Sequence, residues 1–176
     1  TYSRELYKII NVTNRISNNF YAETLLKMIG KTVTGSGSYD SSTVAVKRLL
    51  REMNVPLQGF TQVDGSGLSR QDYVSPRFFC NYFLKMKESA NFALFFNSLP
   101  QPGGPGTLNT VLKDVDITKK SAIHAKSGSL SSVKCYAGYT VKKRGMYYFA
   151  ILTNNYSAPT SEMMKGIEEF MKALIK

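Results

Sequence analysis

The sequence predicts an α+β fold in which helices precede a small antiparallel sheet and a last helix follows it. Apolar residues recur at helical spacing through much of the first hundred residues, whereas residues 122–153 are rich in β-branched and aromatic side chains. A final amphipathic segment can cover one face of the sheet. With 176 residues, the chain is long enough for one domain with a substantial core.

The first third of the chain is typical of helices. Apolar residues at helical spacing predict two helices with a break near Ser17, and the second is expected to end at Gly30 as its C-cap. A small-residue loop over residues 34–42 ends in an N-cap signal. The helix after it is expected to run to Pro56.

Two loops and two helices follow. The segment Val63–Ser69 is expected to form a tight turn, and Val74-Ser75-Pro76 provides a hydrophobic staple, an N-cap and an N1 proline for the next helix. Residues 92–96 form a further helical piece, which the loop over residues 99–106 ends.

The pattern then changes to an antiparallel meander. Strands are expected over residues 122–130, 133–141 and 146–153, with a basic turn at 142–145. Ser161 is expected to cap the last helix, whose apolar face can pack on the sheet.

The charge of the chain is strongly positive but diffuse. The formal net charge is +11, and the lysines and arginines are spread along the sequence, so nucleic-acid binding is only a distant third hypothesis. The single histidine, His124, and two cysteines provide no metal-ligand set, and no cofactor is expected. Cys80 and Cys135 are expected to be free, although the sequence leaves a single disulfide open.

Two short motifs indicate a serine hydrolase that works without a histidine base. Lys126-Ser127-Gly128 lies on a predicted strand, and Ser17-Asn18-Asn19 lies at the break between two helices. K-[ST]-G and S-x-N are two of the three motifs in such enzymes. A second S-x-N, Ser89-Ala90-Asn91, lies in a predicted helical stretch and is interpreted as a chance match.

The third motif, S-x-x-K, occurs only once, at Ser131-Ser132-Val133-Lys134. It lies at a predicted turn and strand start, where residues three apart point to opposite faces, whereas the mechanism needs the serine and lysine one helical turn apart. We therefore interpret it as a decoy. The nucleophile is expected to be missing from these 176 residues.

Four blocks in this order resemble a known family: N..RISNNFYAETLL (residues 14–26), VDGSGLSR (63–70), SLPQPGGPGTL (98–108) and HAKSGSL (124–130). They are similar to the DacB-like, penicillin-binding D-alanyl-D-alanine carboxypeptidases that also act as endopeptidases. The resemblance runs from Ser3 to about residue 155. It implies a β-lactamase/transpeptidase-like fold of which residues 1–176 form the C-terminal part, without the N-terminal S-x-x-K part and the inserted domains.

The resemblance also implies catalytic roles. The family forms an acyl-enzyme on a serine and resolves it with water. Ser17 would relay a proton to the leaving amine, and Asn19 would hold the missing lysine or the substrate amide. Lys126 would supply a fixed positive charge.

Substrate binding is implied for the residues around Gly128. Ser127 and the Ser129 hydroxyl would bind the substrate carboxylate, and the Ser129 N–H would be one of two oxyanion donors. Because Lys126 and Ser127 point to opposite faces, they can serve one ligand only at an accessible strand edge, along which an extended peptide would dock. A side chain at Gly128 would crowd that ligand.

The leading hypothesis is thus a serine peptidase fragment acting on peptidoglycan stem peptides that end in D-Ala-D-Ala, outside the cytoplasm. β-Lactams would bind the full-length enzyme, and the faces left exposed on the fragment are expected to favour self-association. The alternatives are a non-catalytic stem-peptide binder and a β-lactamase-like hydrolase. His124 is given no catalytic role, Asp64 is interpreted as a turn former, and Glu23 as a surface charge with a supporting role left open.

Overall fold

A computed structural model describes residues 3–176. They form seven helices and five strands in chain order: α1 (Leu6–Ile16), α2 (Asn19–Thr34), α3 (Tyr39–Glu52), β1 (Phe60–Thr61), β2 (Tyr73–Val74), α4 (Pro76–Lys87), α5 (Phe92–Ser98), α6 (Ile117–Lys120), β3 (Ile123–Leu130), β4 (Val133–Lys142), β5 (Gly145–Asn154) and α7 (Thr160–Leu174). The α+β architecture predicted from the sequence is confirmed.

The main sheet is an antiparallel meander in the order β3-β4-β5. Alternate side chains pack on opposite faces, as strand geometry requires. On one face, Ala125, Tyr136 and Phe149 form a core with α7, through Ile167 and Met171. The last helix therefore covers one side of the sheet, as its amphipathic pattern predicted.

The opposite face of the sheet packs against α4 and α5. Ala137 and Tyr139 of β4 form this second core with Phe83 and Leu99, and aromatic residues of both helices surround them. Tyr139 is fully buried, and its hydroxyl donates to the Phe83 carbonyl at 3.2 Å. The sheet thus lies between two helical layers.

The helix α1 packs on α5, and α2 packs on α3. Gly30 of α2 faces Ser42 of α3 so closely that a Cβ at position 30 would lie 2.2 Å from the Ser42 Oγ. Gly30 is therefore a packing glycine and not the predicted C-cap. The helix continues to Thr34, and Gly35, with φ of 81°, ends it.

Two other local predictions were wrong. Ser161 lies inside α7, since the helix begins at Thr160 with Pro159 at the N-cap position. Ser89-Ala90-Asn91 does not lie in the predicted helical stretch but in the turn between α4 and α5. There the Ser89 hydroxyl accepts from the Asn91 N–H at 3.1 Å. This S-x-N is a turn motif, which removes it from the candidate site.

Most other boundaries were predicted to within a few residues. Ser75 caps α4 by accepting from the Phe78 N–H, with Pro76 at the first helical position.

The S-x-x-K at residues 131–134 spans the turn between β3 and β4, so its serine and lysine are not on a helix. Cys80 and Cys135 are free and half-buried. Within residues 3–176, no helix is both long enough and apolar enough to span a membrane.

Candidate active site

Ser17 occupies the end of α1 in a left-handed conformation, with φ of 57° and ψ of 52°. The N–H of Asn18 donates to the Thr13 carbonyl at 3.2 Å, which closes the helix end as in a Schellman motif. A non-glycine residue in this region is strained, and such strain often lies at functional sites. The turn leaves the Ser17 side chain exposed.

The end of α1 is fixed to α5 by two polar side chains. The Asn14 amide donates to the Ser98 hydroxyl at 2.7 Å, and the Arg15 guanidinium donates to the Asn97 carbonyl at 3.0 Å. These bonds join residues more than eighty positions apart in sequence. They hold the Ser17 turn against the layer that covers the sheet.

The loop after α5 connects α1 to β3. The N–H of Thr107 donates to the Arg15 carbonyl, and the N–H of Ala125 donates to the Pro100 carbonyl, both at 3.0 Å. The first bond satisfies one of the carbonyls that a helix end leaves unpaired. The loop therefore sets the distance between Ser17 and the outer edge of β3.

The Ala125 bond also shows which backbone groups of β3 face outward. Successive residues of a strand direct their N–H groups to opposite sides, so Ser127 and Ser129 direct theirs to the same outer side as Ala125. Beyond Ala125 the edge is accessible, and Gly128 and Ser129 are exposed. The strand edge that the sequence requires for the site is present.

Lys126 and Ser17 meet across 109 positions of sequence. The Lys126 Nζ donates to the Ser17 Oγ at 2.8 Å and to the Ser127 carbonyl at 2.6 Å. Lys126 has no ion-pair partner within residues 3–176, and burial lowers its pKa to about 8. This lysine can therefore gain or lose a proton close to neutral pH.

Ser127 contacts a residue to which the sequence motifs assigned no role. Its Oγ donates to the Thr107 Oγ1 at 2.9 Å. Gly128 has only ordinary contact space around it, since a Cβ there would lie 3.6 Å from the Cys135 Cβ. Nothing among residues 3–176 therefore excludes a side chain at position 128.

Asn19 is the first residue of α2 and is exposed, two residues from Ser17. Its side chain makes no hydrogen bond within residues 3–176, and the helix cap comes instead from Asn18, which accepts from the Tyr21 N–H at 2.9 Å. The structure thus brings Ser17 and Ser127 into contact with the Lys126 amine. The Asn19 amide lies exposed beside them.

His124 has structural contacts. Its ring stacks on Phe96 with 3.9 Å between ring centroids, and its Nε2 lies 3.0 Å from the Gln101 amide nitrogen. Burial lowers the pKa of His124, which favours a neutral ring that accepts this hydrogen bond at Nε2. The Gln101 amide also donates to the Ser121 carbonyl, so the ring helps to hold the loop against β3.

The loop over residues 63–69 is attached to α2 by Glu23. The Glu23 carboxylate accepts from the N–H groups of Gly65 and Ser66 and from the Ser66 hydroxyl, at 3.1, 3.0 and 2.7 Å. Asp64 accepts from the N–H groups of residues 67, 68 and 69, which confirms it as a turn former. Of the two interpretations left open for Glu23, the supporting role holds, because its carboxylate binds a loop 42 residues away.

The chain is similar in sequence to a family of carboxypeptidases. Residues 1–174 match the model of the D-Ala-D-Ala carboxypeptidase 3 (S13) family. The chain is 32% identical over 163 residues to the D-alanyl-D-alanine carboxypeptidase of Actinomadura. That alignment covers 89% of this chain and 30% of the relative. It is 27% identical to the penicillin-sensitive carboxypeptidase A of Dictyostelium discoideum, over 99% of this chain and 35% of the relative. The chain thus spans about a third of these relatives.

Solved structures establish the fold. Penicillin-binding protein 4 (DacB) of Haemophilus influenzae, crystallised with a β-lactam, superposes with a TM-score of 0.90 at 22% identity, over 99% of this chain and 42% of that one. The extended-spectrum β-lactamase TLA-1 superposes with a TM-score of 0.73 at 15% identity, over 97% and 63%. The predicted β-lactamase/transpeptidase-like fold is confirmed. By its match over almost its full length, the chain belongs to the D-Ala-D-Ala carboxypeptidase 3 (S13) family.

Proposed function

We propose that residues 1–176 form the C-terminal part of the transpeptidase domain of a serine-type D-Ala-D-Ala carboxypeptidase and endopeptidase. The single observation that carries this proposal is the 2.8 Å hydrogen bond between Lys126 and Ser17, which joins the K-S-G and S-x-N motifs. The nucleophilic serine and its lysine come from a segment outside these 176 residues, because the only S-x-x-K here spans a hairpin turn.

In the acylation step, the serine oxygen bonds to the carbonyl carbon of the penultimate D-alanine, its proton passes to the lysine of the same S-x-x-K motif, and the bond to the leaving nitrogen breaks. Ser17 donates its hydroxyl proton to that nitrogen and receives a proton from Lys126. A lysine pKa of about 8 suits this transfer, because general acids work best with a pKa near the working pH. Asn19 holds the incoming lysine or the substrate amide.

The edge of β3 binds the peptide in an extended conformation. The Ser129 N–H is one of the two oxyanion donors, since strand alternation directs it to the open edge. The hydroxyls of Ser127 and Ser129 and the charge of Lys126 favour the terminal carboxylate. Gly128 lets the peptide backbone approach the strand closely.

The substrates are peptidoglycan stem peptides that end in D-Ala-D-Ala, and β-lactams acylate the complete enzyme. The relatives named for D-Ala-D-Ala carboxypeptidase activity and penicillin sensitivity support this assignment. Because that substrate lies in the cell wall, the complete enzyme acts outside the cytoplasmic membrane.

The experiment compares the 176-residue chain with the full-length protein that contains it, using a fluorescent penicillin. We expect labelling of the full-length protein and none of the chain alone, with mass spectrometry locating the acylated serine upstream of Thr1. Ser17→Ala in the full-length protein tests the relay and should slow acylation about a hundredfold. Ser89→Ala, in the other S-x-N, is the matched control and should not.

Three outcomes would contradict the proposal. Labelling at Ser131 of the chain would show that the hairpin S-x-x-K is the nucleophile. A full-length protein that is never labelled but still binds a D-Ala-D-Ala peptide would show instead a stem-peptide binding module. Rapid hydrolysis of the penicillin without accumulation of the acyl-enzyme would favour a β-lactamase.

A further inference from the structure

The geometry points to Thr107 as a further substrate-binding residue, which with Ser127 forms a pair of hydroxyls that binds the terminal carboxylate and sets the preference for it. This inference rests on the proposed function, because it concerns the same site. The two hydroxyl oxygens lie 2.9 Å apart, although the residues are 20 positions apart in sequence.

The position of Thr107 is fixed on both sides. At Gly106, φ is 116° and a Cβ would lie 2.5 Å from the Arg15 carbonyl oxygen, so the chain there passes close to the end of α1. Leu108 is fully buried in the core between the sheet and α7. Together with the bond from its own N–H to the Arg15 carbonyl, these contacts fix the backbone of Thr107. The bond between its Oγ1 and the Ser127 Oγ then orients its side chain.

The two hydroxyls can both donate hydrogen bonds to a bound carboxylate. Within residues 3–176, each of the two hydroxyls makes a side-chain hydrogen bond only to the other, and Thr107 is exposed. A hydroxyl both donates and accepts, so the pair satisfies one donor internally when no ligand is bound. When a carboxylate arrives, both hydrogens can turn toward its two oxygens.

The local charge favours an anion at this place. Lys126 precedes Ser127, and its Nζ lies 2.6 Å from the Ser127 carbonyl oxygen. No carboxylate of residues 3–176 forms an ion pair with Lys126. A peptide docked along the β3 edge, with its scissile carbonyl at the Ser129 N–H, therefore meets donors and a positive charge at its free carboxyl end.

The test measures kcat/KM of the full-length protein for a peptide ending in D-Ala-D-Ala, as the free acid and as the C-terminal amide. Thr107→Val keeps the shape and removes the hydroxyl. We expect it to lower kcat/KM for the acid about tenfold, mainly through KM, and to leave the amide unchanged. Thr107→Ser should retain most of the wild-type preference, whereas Thr110→Val, at an exposed threonine of the same segment, should change neither substrate.

Equal losses on both substrates, or an unchanged ratio of acid to amide, would overturn the role of Thr107. Thr107→Ala provides a second variant if the valine lowers the melting temperature. A wild-type protein that cleaves neither peptide would instead contradict the proposed function, and the inference would fail with it. A wild-type protein that cleaves both equally well would contradict a carboxylate site at this edge while leaving the peptidase activity intact.

Discussion

At the scale of single residues, Lys126 holds a positive charge where the protein disfavours it. Burial lowers its pKa from 10.5 to about 8, which corresponds to roughly 3 kcal/mol against the charged form. Between pH 8 and 10.5 the unfolded chain binds more protons than the folded chain, so this penalty is fully present below pH 8 and disappears as the pH rises through that window.

We expect Lys126→Met to raise the melting temperature of the chain relative to wild type at pH 7, and the difference to shrink between pH 8 and 10.5. Thermal unfolding across pH 6–10.5 measures this. Lys87→Met is the control, because Lys87 is exposed at the end of α4 and its charge remains in water. A difference between Lys126→Met and wild type that does not vary with pH would contradict the prediction.

The ionisation of Asp72 changes the stability of the chain with pH in the direction opposite to that of Lys126. Burial and the neighbouring Asp64 raise its pKa to about 6, although it accepts from the Val63 N–H at 2.8 Å. The folded chain binds more protons between pH 4 and 6, so stability falls as the pH rises through this window. Its Oδ2 has no partner within residues 3–176 when the carboxyl is ionised.

Asp72→Asn should therefore raise the melting temperature at pH 7 by about 2–4 °C, the equivalent of ~1 kcal/mol once solvent screening is allowed for. The amide keeps the bond from Val63 and can donate to Asp64. The gain should vanish near pH 4, where the wild-type carboxyl is protonated. A control at the exposed Asp40 of α3, Asp40→Asn, should show no such gain.

The residues of the site differ in how far the sequence could reveal them. Ser17 and Lys126 were predicted because each lies in a motif whose chemistry requires its residue type, and they are in contact. Thr107 was missed and the role of Glu23 was left open, since their partners lie 20 and 42 positions away and neither contact leaves a local pattern. Short motifs report chemistry, whereas contacts between loops depend on the tertiary fold.

At the scale of elements, periodicity placed the three strands to within a residue but misplaced two helix ends. Glycine usually ends helices, which predicts Gly30 as a cap, yet here it permits close packing of α2 on α3. Serine usually caps helices, which predicts Ser161 as a cap, yet Pro159 holds the N-cap position of α7. A residue type suited to two environments cannot be assigned to one of them without its tertiary neighbours.

Gly138 determines how closely β3 approaches β4. A Cβ at this position would lie 2.0 Å from the His124 carbonyl oxygen and 2.7 Å from the Ala125 Cα, which are backbone atoms of the strand that bears Lys126. We expect Gly138→Ala to displace β3 and to lower the free energy of unfolding by about 1–3 kcal/mol, measured by urea denaturation.

The matched control is Gly166→Ala in α7, where a Cβ meets no atom within 4 Å. Alanine has a higher helix propensity than glycine, so this variant should gain about 1 kcal/mol. In the full-length protein, Gly138→Ala should also slow acylation, because displacement of β3 moves the Lys126 Nζ away from the Ser17 hydroxyl. Normal acylation with a wild-type unfolding curve would show that β3 tolerates the methyl group.

At the scale of the whole molecule, large apolar side chains are exposed beside the candidate site. Phe20 is 75% exposed and Ile16 62%, on either side of Ser17, and Met28 of α2 is 55% exposed. Exposed apolar surface of this kind promotes association. The net charge of +11 opposes it through repulsion that salt screens.

The chain alone should therefore self-associate reversibly, and more strongly at high salt. Sedimentation velocity over a range of concentrations, at low and high ionic strength, measures this. Phe20→Ser removes about 2 kcal/mol of apolar burial and should weaken the association roughly 30-fold. Phe170→Ser, at an exposed phenylalanine of α7 on the far face of the sheet, is the control and should leave the association unchanged. A chain that remains monomeric at every concentration and salt would contradict the prediction, and an equal effect of both variants would show that the surface beside Ser17 is not the contact.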